Sequence, residues 1–133
     1  MVQVKICGLM KQADIQAVND AAADFAGFVF APGRHQVSLT TALKLRAGLV
    51  PNIQTVGVFV NESIDEILAI YRAGAIDIAQ LHGKSTPDEI KILHAAGLKV
   101  IQVFERQSIE LNSRADYLMV CLLYTSDAAD DLT

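Results

Sequence analysis

Lys5 and Cys7 stand two residues apart in the stretch "VKICGLM". Side chains alternate along an extended chain, so these two share one face while Val4 and Ile6 take the other. A cation beside a thiol favours the thiolate, and a thiolate acts as base or nucleophile. The competing reading is a small buried hydrophobe, the usual state of a free cysteine. Arg34 and His35 follow "FAPG". Arginine's planar fork suits a carboxylate or a phosphate; the alternative is a solvated loop arginine. "QLHG" puts Gln80 and His82 on one extended face with Ile78, where His82 is either a site residue or a structural imidazole. Asn61 in "VFVN" suits the start of a turn better than a ligand contact. His94 falls inside a helical pattern, away from these positions. The sequence contains no phosphate-cradling glycine loop of either nucleotide type and no Cys/His cluster with metal-ligand spacing. It also offers no nucleophile–His–Asp set.

The elements that must position these residues are legible. Runs rich in Val, Ile and Phe at 3–7, 25–30, 55–60, 76–81, 99–104 and 116–120 read as strands covered on both faces. Helical patterns alternate with them. In "NESIDEILAIYRAG", Ile64, Ile67, Leu68 and Tyr71 form one apolar face, Ser63 with Glu66 makes a capping box, and Gly74 suits the helix end. In "KSTPDEIKILHAAG", Thr86 with Glu89 repeats the box, Pro87 takes the first helical position and Gly97 closes the helix. Ser63 and Thr86, the two "DEI" triplets, and Gly74 and Gly97 are all 23 residues apart, which marks a repeated βα unit. Such units join parallel strands by right-handed crossovers. They build either an open doubly wound sheet or a closed eight-stranded barrel, and periodicity alone does not choose. In both, functional groups sit at the C-terminal ends of strands, which is where "KICG", "FAPGRH", "VFVN", "QLHG", "VFER" and "LMVC" fall.

Composition sets outer bounds. The 133 residues suffice for one domain with a core, and 52% hydrophobic content excludes a disordered chain. No apolar run approaches the ~18 residues of a membrane span. The opening "MVQVKICGLM" lacks the charged and apolar regions of a signal peptide. The two cysteines, Cys7 and Cys121, do not suggest a disulfide framework, so a cytoplasmic setting is expected. The net charge of −4 disfavours nucleic acid as a partner. Asp127, Asp130 and Asp131 lie in residues 121–133 without a basic neighbour, so the rest of the chain is close to neutral.

With these residues in view, "VKICGLM", "ADFAGFVFAPGRHQVS", "VGVFVN" and "DIAQLHG" resemble, in order and spacing, the phosphoribosylanthranilate isomerases of tryptophan biosynthesis. The likeness runs from about Val2 to Val120. It implies a (β/α)8 TIM barrel that uses no cofactor and no metal. It implies an Amadori rearrangement of N-(5-phosphoribosyl)anthranilate to 1-(2-carboxyphenylamino)-1-deoxyribulose 5-phosphate, an intramolecular oxidoreduction of aldose–ketose type. An acid opens the ribose ring to a Schiff base, and a base then removes the C2 proton. By this resemblance Cys7 matches the general base and Arg34 the arginine that meets the anthranilate carboxylate. The family usually writes Ser-Arg or Ser-Pro-Arg where this chain has Gly33-Arg34-His35. His82 matches an active-site histidine that positions substrate. Lys5 matches the motif lysine, placed to tune Cys7, and is counted with Gln80 among the substrate-binding positions.

The resemblance then breaks. The family's sixth strand ends in an aspartate that acts as general acid, and Cys121 stands at that position. A thiol is a poor replacement, with an unperturbed pKa near ~8.5 and weak hydrogen bonding. Asp116, at the other end of the strand, cannot substitute. The family continues into a glycine-rich loop and two further βα units that bind the substrate phosphate, and "LLYTSDAADDLT" resembles translated adaptor sequence instead. The expectation is a barrel truncated after about six strands over residues 1–120, a non-family tail over 121–133, and negligible activity of the chain alone. The alternative is a small non-enzymatic α/β module that binds an anionic ligand, with Cys7 merely buried. Another phosphosugar barrel of the same pathway would use lysine and glutamate, against which "KICGL" argues.

Overall fold

The computed structural model describes residues 3–82, 86–105 and 115–121. The elements run β1 (Lys5–Ile6), α1 (Gln12–Asp20), β2 (Phe25–Val29), α2 (Leu39–Arg46), β3 (Gln54–Phe59), α3 (Ile64–Arg72), β4 (Ile78–His82), α4 (Pro87–Ala96), β5 (Lys99–Glu105) and β6 (Tyr117–Cys121). The six strands form one sheet in the order β1-β2-β3-β4-β5-β6, every neighbouring pair parallel.

That order decides between the two architectures. A doubly wound sheet reverses its strand order at a switch point and covers both faces with helices. Here the order never reverses. One apolar cluster joins the helices to a single face of the sheet, through Ile15, Leu45, Ile67 and Leu93 on the helices and Phe28, Phe59, Leu81 and Val100 on the strands. The other face packs on itself, with Phe25, Val56, Ile78 and Ile101 from four successive strands in a separate cluster. Across that inner face Lys5 Nζ on β1 donates to Gln80 Oε1 on β4. These strands are three places apart in the sheet, so a side-chain contact between them requires the sheet to curl. The fold is α/β, the curled wall of a (β/α) barrel.

The local signals explain the helices. Ser63 caps α3 by accepting from Glu66 N–H, and Thr86 caps α4 with the reciprocal pair complete. At α3 the expected box is only half made, because the Glu66 carboxylate accepts from the Ser63 hydroxyl rather than from its backbone. Gly97 ends α4 at φ +105°, and a Cβ there would lie 2.6 Å from Tyr71 Oη. The glycine thus serves both the left-handed turn and the packing of α3 beside α4.

Three strands, β1, β4 and β6, start later than the sequence suggests, and for β4 and β6 the reason is an aspartate. Asp24, Asp77 and Asp116 immediately precede β2, β4 and β6. Each carboxylate accepts from a backbone N–H at the start of the preceding strand: Val4 at 2.8 Å, Thr55 at 2.9 Å and Val100 at 2.7 Å. Each aspartate's own N–H donates back to the carbonyl of that same residue at 2.9 Å. The aspartates therefore staple strand pairs at their N-terminal ends, and the ladders begin one residue on. At the far end, β6 runs through Cys121, in register with Glu105. Residues 122–133 lie outside the described residues.

Candidate active site

β1 is a short ladder because Gly8, at φ +78°, turns the chain just past Cys7. Leu9 N–H then donates to Gly27 O at 3.3 Å, which lays the turn over β2. Cys7 comes to rest on the inner side of the sheet, 8% exposed, among Val29, Ala31 and Val58. Gly27 makes that position available. A Cβ on Gly27 would stand 2.6 Å from Cys7 Sγ, well inside contact distance. Sequence reasoning passed over this residue; a lone glycine inside an apolar strand is the signal of a close approach.

Burial raises the Cys7 thiol above its ordinary pKa, while the charge of Lys5 and the Gly8 N–H pull it down. Burial lowers the Lys5 ammonium, against the raising effect of Cys7. The two groups therefore stabilise each other's charged forms in a setting that disfavours both. Gln80 adds to this, since its carbonyl oxygen accepts from Lys5 Nζ.

β4 supplies the other polar groups. Alternation stacks Ile78, Gln80 and His82 on the inner face. Gln80 lies in register with Val58 and Ile101, and His82 with Val103. Gln80 is fully buried, its Nε2 has no partner, and His82 Nδ1 is likewise buried and unpartnered. Each such atom costs about 1–3 kcal/mol relative to a satisfied one. Gly83, the turn expected after His82, lies outside the described residues.

Arg34 and His35 occupy the turn that leaves β2. Gln36 Nε2 donates to Phe30 O at 3.2 Å and Val37 N–H to Val29 O at 2.9 Å, pinning this turn to the strand end. Arg34 is exposed, so it shares the C-terminal end of the sheet with Cys7 without sharing its burial. Lys5, Cys7, Gly27 and Gln80 are thus brought together inside, His82 stands one step further along β4, and Arg34 waits at the rim. Asn61 begins the turn into α3 and borders a cavity of about 130 Å³ with Phe59, Leu81 and Glu89, on the helix side of the sheet. Asp116 sits at the start of β6, hydrogen-bonded to Val100 N–H and to His94 Nε2 at 2.8 Å. It is structural, as is His94.

A buried thiol beside a half-buried ammonium, with unanswered polar atoms facing the same interior, is equipped to move a proton on a polar ligand held there. Among the described residues no group of three His, Cys, Asp or Glu side chains is placed to hold a metal, and no helix is long and apolar enough to cross a membrane.

Comparisons with known proteins converge on one family. The family model described as N-(5'phosphoribosyl)anthranilate (PRA) isomerase matches residues 4–128. The N-(5'-phosphoribosyl)anthranilate isomerase of Lacticaseibacillus casei (strain BL23) is 74% identical over 120 residues, which are 90% of this chain and 60% of that protein. The chain therefore spans about 60% of the length of such curated relatives. Among solved structures, phosphoribosyl anthranilate isomerase from Thermus thermophilus superposes with a TM-score of 0.83 at 26% identity, over 98% of this chain and 71% of that one. A second, solved in complex with reduced 1-(o-carboxyphenylamino)-1-deoxyribulose 5-phosphate, gives 0.74 at 32% identity, over 79% of this chain and 54% of that one.

Proposed function

The chain belongs to the N-(5'-phosphoribosyl)anthranilate isomerase family, and on that premise we propose that its inner face carries the proton-transfer half of an aldose–ketose rearrangement. The substrate is N-(5-phosphoribosyl)anthranilate, and the setting is a cytoplasmic step of tryptophan biosynthesis. The observation that supports this reading best is the grouping of half-buried Lys5 with buried Cys7 and Gln80, with Gln80 Nε2 and His82 Nδ1 unpartnered beside it among the described residues.

The residues divide the work as follows. An acid protonates the ribose ring oxygen, the C1–O bond breaks, and the anilino nitrogen's lone pair forms the Schiff base. Cys7, as thiolate, takes the proton from C2. The C–H electrons form the C1=C2 bond of an enolamine as the C1=N pair returns to nitrogen; C1 then takes up a proton while the C2 hydroxyl gives one up, leaving the C2 ketone. Lys5 stabilises the thiolate. Gln80 and His82 meet substrate oxygens inside, and Arg34 meets the anthranilate carboxylate at the rim, where a planar fork suits it.

Cys121 stands at the acid position, at the C-terminal end of β6. A neutral thiol donates weakly, so ring opening is the step this chain performs worst. Two measurements test the reading. The reduced product analogue should protect Cys7 from iodoacetamide, and Arg34→Met should weaken that protection. An isomerase assay should show negligible turnover by this chain, raised about 10²-fold by Cys121→Asp. Absent protection overturns the site assignment, and robust turnover without the aspartate overturns the role given to Cys121.

A further inference from the structure

Among the described residues, Gln80 is the one fully buried polar side chain that reaches across the inner face. Its orientation follows from chemistry. An ammonium has no acceptor, so the amide must present its oxygen to Lys5, and the –NH2 is left for something else. Among the described residues nothing answers it, and the register neighbours Val58 and Ile101 are apolar. His82 Nδ1, two residues along the same face, is also unanswered.

We propose that Gln80 is a positioning residue that links ligand recognition to Cys7: its carbonyl oxygen holds the Lys5 ammonium beside the thiol, and its amide –NH2 donates to an acceptor oxygen of the bound sugar. The inference rests on Cys7 being the base and goes beyond it in two ways. The ligand group facing Gln80 is an acceptor, a hydroxyl or carbonyl oxygen of the sugar, and never an ammonium, because the amide –NH2 donates. Gln80 also acts on Cys7 only through Lys5. The side chains packed on Cys7 from β2, β3 and their exits are Val29, Ala31, Val58 and Val60, none of them titratable. Among the described residues, Lys5 supplies the charge acting on the thiol, and His82 is the other titratable group on that stretch of inner face.

The test uses a Cys121→Ser background, in which Cys7 is the single thiol of the 133 residues. The rate of iodoacetamide alkylation against pH reports its ionisation. Lys5→Met and Gln80→Met, the latter similar in volume to the amide, should each slow alkylation at pH 7.5 by about three- to tenfold. The double variant should be no slower than Lys5→Met. Gln80→Leu serves as a second variant, and urea melts confirm that each chain is folded. An unshifted profile in both Gln80 variants, or effects that multiply in the double variant, overturns the linkage. The second arm is protection by the reduced product analogue, expected to need about tenfold more analogue in Gln80→Met. Equal protection in parent and Gln80→Met overturns the donor role while leaving Cys7 as the base. No protection in the parent overturns the site assignment and this inference with it.

Discussion

The two ends of the sheet treat polar groups in opposite ways. At the N-terminal end, Asp24, Asp77 and Asp116 answer backbone donors of the neighbouring strands and have their own N–H groups answered in return. Asp77 also takes both hydrogen bonds from Arg46 Nη2, at 2.9 and 3.0 Å, while Arg46 Nη1 reaches Thr55 Oγ1 at 2.7 Å. In the C-terminal half, burial works against the charges of Lys5 and Cys7, and Gln80 Nε2 and His82 Nδ1 lack partners among the described residues. That asymmetry is what the proposed ligand site at the second end requires. That is the division of labour of parallel barrels, with stability at the strand starts and chemistry at the strand ends.

The sharpest way to break this comparison is to unpair the satisfied end. Asp77→Ala should cost about 2–4 kcal/mol in urea denaturation. Most of that comes from the stranded N–H of Thr55, which is 0% exposed, rather than from the Arg46 ion pair, whose side chains are about a third exposed and screened. Arg46→Ala should therefore cost clearly less, and neither change should move the pH profile of Cys7 alkylation. A near-neutral Asp77→Ala would remove the distinction between the two ends.

The next effect lies in the other half. Gly27→Ala forces a methyl against Cys7 Sγ and should cost about 1–3 kcal/mol. Adding Cys7→Ala should restore much of the loss, because the clash is with the sulfur. Failure of that rescue in paired melts would mean that Gly27 serves the backbone and not the thiol.

Acid exposes a smaller effect. Desolvation by burial pushes the Asp116 carboxyl up, but the Val100 N–H, the hydrogen bond and charge of His94, and its own N–H together hold it below the usual value. A depressed carboxyl stabilises the fold above its unfolded pKa of ~3.9, and that stabilisation is lost as pH falls from there through the folded pKa. The side chain is about a third exposed, so screening leaves less than about 1 kcal/mol. Melts between pH 6 and pH 3 should show the parent losing more stability than Asp116→Asn. The smallest expected change is His82→Leu, within about 0.5 kcal/mol, since it removes an unpaired buried atom. Protection of Cys7 by the analogue should nonetheless fall. A large stability loss would instead make His82 structural.

Much of the wall was legible residue by residue. The six strands, the caps at Ser63 and Thr86 and the turn at Gly97 follow from local periodicity and hydrogen-bonding chemistry, and the structure departs from them by one or two residues at strand ends. The stapling aspartates explain the later starts of β4 and β6. Their signal, an aspartate immediately before an apolar run in "AADF", "AIDI" and "RADY", was present but carries meaning only once two strands are known to be neighbours. Gly27 was harder, because its role depends on a sulfur 20 residues earlier in the chain.

The sequence by itself determined which side chains share a face, because alternation is a property of the extended backbone: Lys5 with Cys7, and Gln80 with His82. It also determined that the strands are parallel, through the repeated βα unit. The tertiary structure alone decided that these two faces meet. The Lys5–Gln80 contact spans 75 residues and three places in the sheet, and it exists because the wall curls with its helices on one side. Local geometry sets a direction for each side chain, while burial, charge coupling and an unanswered amide arise only when distant strands close on one another.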